Sequence, residues 1–333
     1  MCYESQREIE IVSDASGAVT SSATDAAYVG QWRGVARRDL RRATAAGAAA
    51  AAAVVAQAWL LALVLHAGLF EKRPVDTLVG LFALLGAAVA LRATTGFFAE
   101  RFAFDAAMTV VGTVRRALLD KLDRLGPVGL AGRPAGEIVA ALSDGARGLE
   151  PFFARYLPAV AQAAILPLAI LVVVAPLDWI SASILLVTAP LIPVFMVLIG
   201  RGAEARNHRQ WHRLQRMSGQ FLDAVQGLAT LKVLGAGPRM TEAVGDAAEA
   251  YRRDTMAVLR IAFLSAFALE FFATVAIALV AVLIGFRLMW GEIGYLQGLF
   301  ILLLAPEFYL PLRAMGAAYH ARMESLGAAQ RLA

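Results

Sequence analysis

The sequence predicts an all-α integral membrane protein of six membrane-crossing helices with long cytoplasmic extensions. Three observations carry that fold class. The 333 residues are 59% hydrophobic and 17% charged, with a mean hydropathy of +0.63, which is too apolar for an ordinary soluble domain of this size. Six apolar stretches each approach the roughly 20 residues that cross a bilayer at ~1.5 Å per residue. Apolar residues at helical spacing also continue past two of these stretches into charged sequence.

Residues 1–30 lack the basic region and apolar core of a signal peptide and read as a disordered cytoplasmic tail, leaving 31–333 as the membrane domain. Cys2 is the single cysteine, so no intrachain disulfide or CxxC pair can form. The first span runs from about Ala45 to Leu69 and is alanine-rich, the weakest of the six. The second, about Leu78 to Phe98, continues as an amphipathic helix: Val111, Val114, Leu118, Leu122 and Leu125 share one face, with Arg115, Arg116, Asp120, Lys121 and Asp123 between them. At helical rise the whole element is ~70 Å long against a hydrocarbon core of ~30 Å, so its end must project into the cytoplasm.

A glycine-bearing break at Gly126 to Glu137 ends that extension, after which a helical pattern leads back to a third span at about Leu157 to Pro176. The fourth, about Ile180 to Ile199, repeats the design: Trp211, Leu214, Phe221, Val225 and Leu228 stripe its extension, and a second break lies at Val233 to Met240. The fifth and sixth spans fall at about Ile261 to Met289 and Gly294 to Met315.

Orientation follows from Lys and Arg. Arg33, Arg37, Arg38, Arg41 and Arg42 precede the first span, and further basic sets occupy the two long inner segments. The three short connections carry mainly Lys72 and Arg73. The positive-inside rule then places both termini in the cytoplasm. Phe70, Trp179, Trp290 and Tyr295 gather at the outer interface, where aromatic belts belong. The net charge of +5 is accounted for by these cytoplasmic segments and does not indicate a nucleic-acid partner.

No catalytic or metal-binding constellation stands out. Of His66, His208, His212 and His320, only His208 and His212 have the i, i+4 spacing of a metal pair, and their surroundings are strongly basic. What remains is a set of ionisable groups at membrane depth: Arg92 in span two, Glu270 in span five, Glu307 and Arg313 in span six. Each is costly against lipid and should face the bundle interior. Two readings stay open, ion pairs that glue helices together or the lining of a path for a zwitterionic substrate. Depth along the helices suggests that Glu270 pairs with Arg313 and leaves Glu307 for a substrate amine. Pro306 and Pro311 should bend span six, and Tyr309, with Phe308 beside it, would wall the cavity.

With these features in place, the chain resembles the membrane domain of type I ABC exporters. Leu119 to Phe153 is similar to that superfamily's first intracellular loop, and Phe221 to Gly237 resembles the second. The run LLLAPEFYLPLRAMGAAYHARMESLGAAQRL, Leu302 to Leu332, is most similar to the CydD-type subunit of the cysteine/glutathione exporter that supports cytochrome bd assembly. The resemblance implies a heterodimer with a homologous half-transporter in the bacterial inner membrane, exporting a small thiol. Haem or another tetrapyrrole is a rival substrate, with His66 and His320 as conceivable ligands. It also implies that Gly132, Arg133, Pro134, Ala135, Gly136 and Glu137, and Leu228, Ala229, Thr230 and Leu231, meet nucleotide-binding domains that hold ATP and Mg²⁺. The sequence itself has no GxxxxGK[ST] phosphate cradle, so this polypeptide is not expected to hydrolyse ATP alone. An ion-driven secondary transporter and a passive assembly scaffold are the competing classes; the long extensions disfavour the first and the intramembrane charges the second.

Overall fold

A computed structural model describes residues 30–129, 138–139, 141–195 and 225–330. The leader, the first tip with Gly132 to Glu137, and residues 196–224, which carry most of the extension expected after span four, lie outside the described residues. The described part is helical throughout. Among the described residues five helices are long and apolar enough to cross a membrane, and a shorter apolar helix, Trp179–Phe195, is consistent with a sixth. The protein is a multi-pass membrane protein.

The long elements are α1 (Arg37–Leu69), α2 (Val75–Gly129), α3 (Leu157–Val174), α4 (Trp179–Thr188), α5 (Leu228–Val233), α6 (Gly237–Met289) and α7 (Tyr295–Gln330). Helix α2 has 55 residues and departs from helical geometry only at Gly126, whose φ of 61° and ψ of 179° interrupt it one residue after the end expected at Leu125. Glycine pays no Cβ penalty at that φ, and the following Pro127 restricts Gly126 to an extended ψ. Helix α1 begins at Arg37, ahead of the span expected from about Ala45, because alanine and arginine both favour helix. Helix α7 extends through Gln330, past the span expected to about Met315, and runs unbroken across Pro306 and Pro311. Neither proline can donate to the carbonyl one turn back, so the carbonyls of Leu302 and Glu307 lose their intrahelical partners.

The described chain falls into two compact units, residues 1–185 with 279–333, and residues 186–278. In the first, α1 packs most extensively on α2, and α3 and α7 complete the bundle. Its alanines make this possible: Ala51, Ala53, Ala58, Ala62 and Ala67 are buried, and small side chains let helix backbones approach without a hydrophobic driving force from water. At Gly47 the approach is so close that a Cβ would stand 1.8 Å from the Gln162 amide of α3.

Below the bundle, a second cluster joins the α2 extension to the arm that returns from the first tip. Val110, Val111 and Val114 of α2 pack with Ala146, Leu149, Phe152 and Phe153, and with Ala36 just before α1. The returning arm is helical as expected, but not regularly so. It contains two wide π turns, Ala141–Gly145 and Phe152–Tyr156. Widening a turn disturbs the regular backbone ladder. Side chains compensate: the buried Ser325 hydroxyl of α7 accepts from the Phe152 amide at 3.1 Å, and the Arg115 guanidinium donates to the Leu142 carbonyl at 3.0 Å.

In the second unit, α5 ends in a Schellman motif. Gly235 lies at φ 63°, the Gly235 amide donates to the Lys232 carbonyl at 3.3 Å and the Ala236 amide to the Leu231 carbonyl at 2.9 Å. Helix α6 then starts at once. Val233 and Leu234 stand 85% and 72% exposed at this turn.

Candidate functional site

Three spans of the first unit meet at an ion pair. Helix α2 presents Arg92, α7 presents Glu307 and α1 presents Gln57. Arg92 donates two parallel hydrogen bonds to the Glu307 carboxylate, Nη1 to Oε1 at 2.8 Å and Nη2 to Oε2 at 3.1 Å. Its Nη1 also reaches the Gln57 amide oxygen at 3.3 Å. This is the bidentate geometry in which a guanidinium and a carboxylate bind most strongly.

Glu307 lies roughly 18 Å along α7 from Tyr295, and Gln57 roughly 18 Å along α1 from Leu69, so both stand near the middle of a ~30 Å hydrocarbon core. The Arg92 and Glu307 side chains keep 34% and 23% of their surface exposed. The pair is satisfied yet reachable. Its assignment corrects the sequence-based expectation that Glu307 is left without a protein partner. Arg313 lies in the first unit and Glu270 in the second, and their expected pairing falls outside what is described within either unit.

The rings expected to wall a cavity are instead packed inside. Tyr309 and Phe308 are 1% and 0% exposed, and their rings meet edge to face at 5.0 Å. In a helix, residues 307 and 308 point about 100° apart, so the face that carries Glu307 cannot also carry Phe308.

A second charged group, at the short-connection end, went unrecognised in the sequence. Arg287, in the last turn of α6, donates to Asp178 Oδ1 at 2.7 Å and to Glu292 at 3.2 Å. Asp178 is the residue before α4 and caps it: its carboxylate accepts from the amides of Ile180 and Ser181 and from the Ser181 hydroxyl. Burial pushes the Asp178 carboxyl up, but the hydrogen bonds from Ser181 and Arg287 outweigh it, so its pKa lies below the ordinary carboxylate value. A sequence signal existed in the aspartate at an N-cap position two residues before an isoleucine and three before a serine.

Nearby, His66, Phe70 and Tyr295 form an aromatic group, with Phe70 and Tyr295 centroids 3.8 Å apart and His66 Nε2 3.8 Å from Glu71. Trp290 stacks on Phe286 at the same end. Among the described residues no cluster of His, Cys, Asp and Glu is suited to hold a metal.

Of the two coupling segments expected, Gly132, Arg133, Pro134, Ala135, Gly136 and Glu137 lie outside the described residues. Leu228, Ala229, Thr230 and Leu231 form the start of α5, where Ala229 is exposed.

Comparison with known proteins gives a consistent picture. The family described as ABC transporter transmembrane region matches residues 43–308. The chain is 40% identical over 306 residues to a protein of Providencia stuartii named Transport ATP-binding protein AarD, covering 89% of this chain and 52% of that one. It is 41% identical over 288 residues to the Escherichia coli protein named Glutathione/L-cysteine transport system ATP-binding/permease protein CydD, covering 84% and 49%. It is 34% identical over 271 residues to the Bacillus subtilis protein of the same system named CydC, covering 81% and 47%. The chain thus spans about half the length of the curated relatives it matches.

Proposed function

Because the chain belongs to the ABC transporter transmembrane-region family, we propose that it is the membrane half of an ATP-driven exporter of cysteine or glutathione. The observation that carries this reading is the Arg92–Glu307 pair, held among three spans at mid-membrane depth with part of its surface open. A charge inside a membrane is costly unless compensated. The pair is compensated by itself, and a zwitterion can take its place without leaving either charge bare. The substrate carboxylate replaces Glu307 on Arg92 as a bidentate partner. The substrate ammonium takes the Glu307 carboxylate and the Gln57 amide oxygen. Both relatives named for glutathione and L-cysteine support this substrate class.

The rest of the reading follows from the same family. Both termini face the cytoplasm of a bacterial inner membrane, as the Lys and Arg distribution requires. A homologous half covers much of the apolar surface left open on α2 and α6, in a heterodimer. ATP and Mg²⁺ act through nucleotide-binding domains of the kind the relatives' names describe, and the first tip and the α5 turn relay their motion. Cysteines at Ala135 or Ala229 are expected to crosslink to such a domain; failure of both in an assembled complex removes that assignment.

Substrate analogues test the pair directly in the complete transporter. N-acetylcysteine lacks the ammonium and cysteine methyl ester lacks the carboxylate, so each should fail to stimulate ATP hydrolysis where cysteine succeeds. Glu307→Gln and Arg92→Gln should each abolish the stimulation by cysteine. Normal cysteine transport by Glu307→Gln would remove the pair from the substrate path and leave it as structural glue.

A further inference from the structure

The arginines ahead of α1 serve so far only to orient the chain, yet the structure gathers them around a cleft. Arg33, Gly34, Arg37, Leu40, Arg41 and Thr44 line a space of about 320 Å³. Arg33 lies in the short turn Trp32–Gly34, and Arg37 and Arg41 follow it on one face of α1 at four-residue spacing. All three side chains are exposed. The adjacent acid, Asp39, is engaged by Arg42 on another face at 3.4 Å. Arg33 is also held in place, its guanidinium lying 5.6 Å from the centre of the Phe152 ring.

Depth identifies the compartment that this cleft samples. Arg41 stands ~42 Å along α1 from Leu69, and a bilayer with its headgroups is ~40–45 Å thick. The rim of the cleft formed by Arg41 and Thr44 therefore sits at headgroup level on the far side from Leu69, with Arg37 one turn further toward the water. Beside that rim the helix turns apolar, with Ala43 buried and the alanine run following.

We propose that this cleft binds the phosphate of an anionic phospholipid headgroup. Guanidinium groups bind phosphate in a planar fork, and three arginines lining one space suit a single headgroup better than a diffuse counter-ion layer. The competing occupant is this chain's own leader, which carries Glu4, Glu8, Glu10, Asp14 and Asp25 against Arg7. The lipid is favoured because the rim of the cleft lies at headgroup depth and borders the apolar run.

Native mass spectrometry of the full chain released from nanodiscs tests the site, with dioctanoyl phosphatidylglycerol as the probe. The triple variant Arg33→Gln, Arg37→Gln, Arg41→Gln should weaken retention of the probe by about a hundredfold. The double variant Arg38→Gln, Arg42→Gln removes neighbouring charge outside the cleft and should weaken retention by clearly less than the roughly thirtyfold that two general surface charges would carry. Lysine at the three positions keeps the charge but not the fork and should fall between. Dioctanoyl phosphatidylcholine should not compete. Equal losses in the triple and double variants would reduce the effect to general surface charge and overturn the site. Competition by millimolar inorganic phosphate as strong as by the lipid would make it a free-anion site. Lipid retention seen only after residues 2–28 are deleted would assign the cleft to the leader.

Discussion

The two arginine–carboxylate groups of this protein use the same side-chain chemistry in opposite ways. At the short-connection end, Arg287 and Asp178 retain only 16% and 1% exposure, and the carboxylate is further fixed by the α4 amides and Ser181. At mid-membrane, Arg92 and Glu307 retain 34% and 23% and share nothing more than the Gln57 amide. The first group is closed around its carboxylate, with Asp178 1% exposed, and holds elements together. The second is closed in charge but open in space, which is the condition for exchanging a partner. Charge pairing alone therefore does not distinguish structure from function in a membrane bundle; the number of fixed donors around the carboxylate does.

The sharpest way to break this contrast is at Asp178. Removing one member of a buried pair strands the other, at about 3–5 kcal/mol, and the helix cap goes with it at about 1 kcal/mol. Asp178→Ala should therefore produce the largest loss of folded yield and of melting temperature in detergent. Arg287→Gln should follow closely. A functional assay on the material that survives should show near-normal cysteine-stimulated ATP hydrolysis per folded molecule.

Glu307→Gln should invert that pattern, with a smaller loss of yield and no stimulated hydrolysis. The exchange Arg92→Glu with Glu307→Arg sharpens it further. Yield should recover relative to either single change, because the pair is rebuilt, while the reversed polarity presents each charge from the wrong helix and transport stays low. Equal recovery of yield and transport would show that only neutrality matters at this depth.

Acidification separates the groups more gently. The folded-state pKa of Asp178 is depressed, so its contribution is fully present above the ordinary carboxylate value and is lost as pH falls through the depressed one. Melting temperature should thus stay flat in Asp178 terms from neutrality down to about pH 4 and decline below it, and the decline should be missing in Asp178→Asn. The smallest effect belongs to Glu249 and Arg252, an exposed pair on α6 with a contact of 2.7 Å. Solvent screens it, and alanine at either position should leave melting unchanged within error.

Much of the scaffold was legible because its signals are local. Hydropathy and helical spacing give α2 its length, and Gly126 before Pro127 gives its end. The alanine-rich first span is an instructive misjudgement of strength: its alanine content makes it read as the weakest of the six, yet its mean hydropathy of 2.2 exceeds the 1.8 of α2 and the 1.4 of α7, and α1 makes the most extensive packing because its small side chains allow close approach. The charged partners were less legible. Depth along a helix follows from counting residues, but the direction a side chain faces around the bundle depends on how each helix is rotated. Depth alone did not bring together Arg92 and Glu307, which stand 215 residues apart in sequence. The π turns at Ala141–Gly145 and Phe152–Tyr156 leave no periodic signature, since each is a single widened turn inside otherwise helical sequence.

Helix α7 is fastened close to both ends. Near Tyr295, Gly298 lets the helix lie against α6, where a Cβ would come within 2.9 Å of Ile284. Near Gln330, Ala328 abuts Gly148, where an added Cβ would stand 2.3 Å from it. A strut clamped at two points and loaded at one of them yields where its stiffness is least. In α7 that place is the stretch between Pro306 and Pro311, where two backbone bonds are missing. Glu307 sits inside this compliant stretch. A load applied near Gln330 would bend the rod beside the Arg92 guanidinium, some 35 Å away along it.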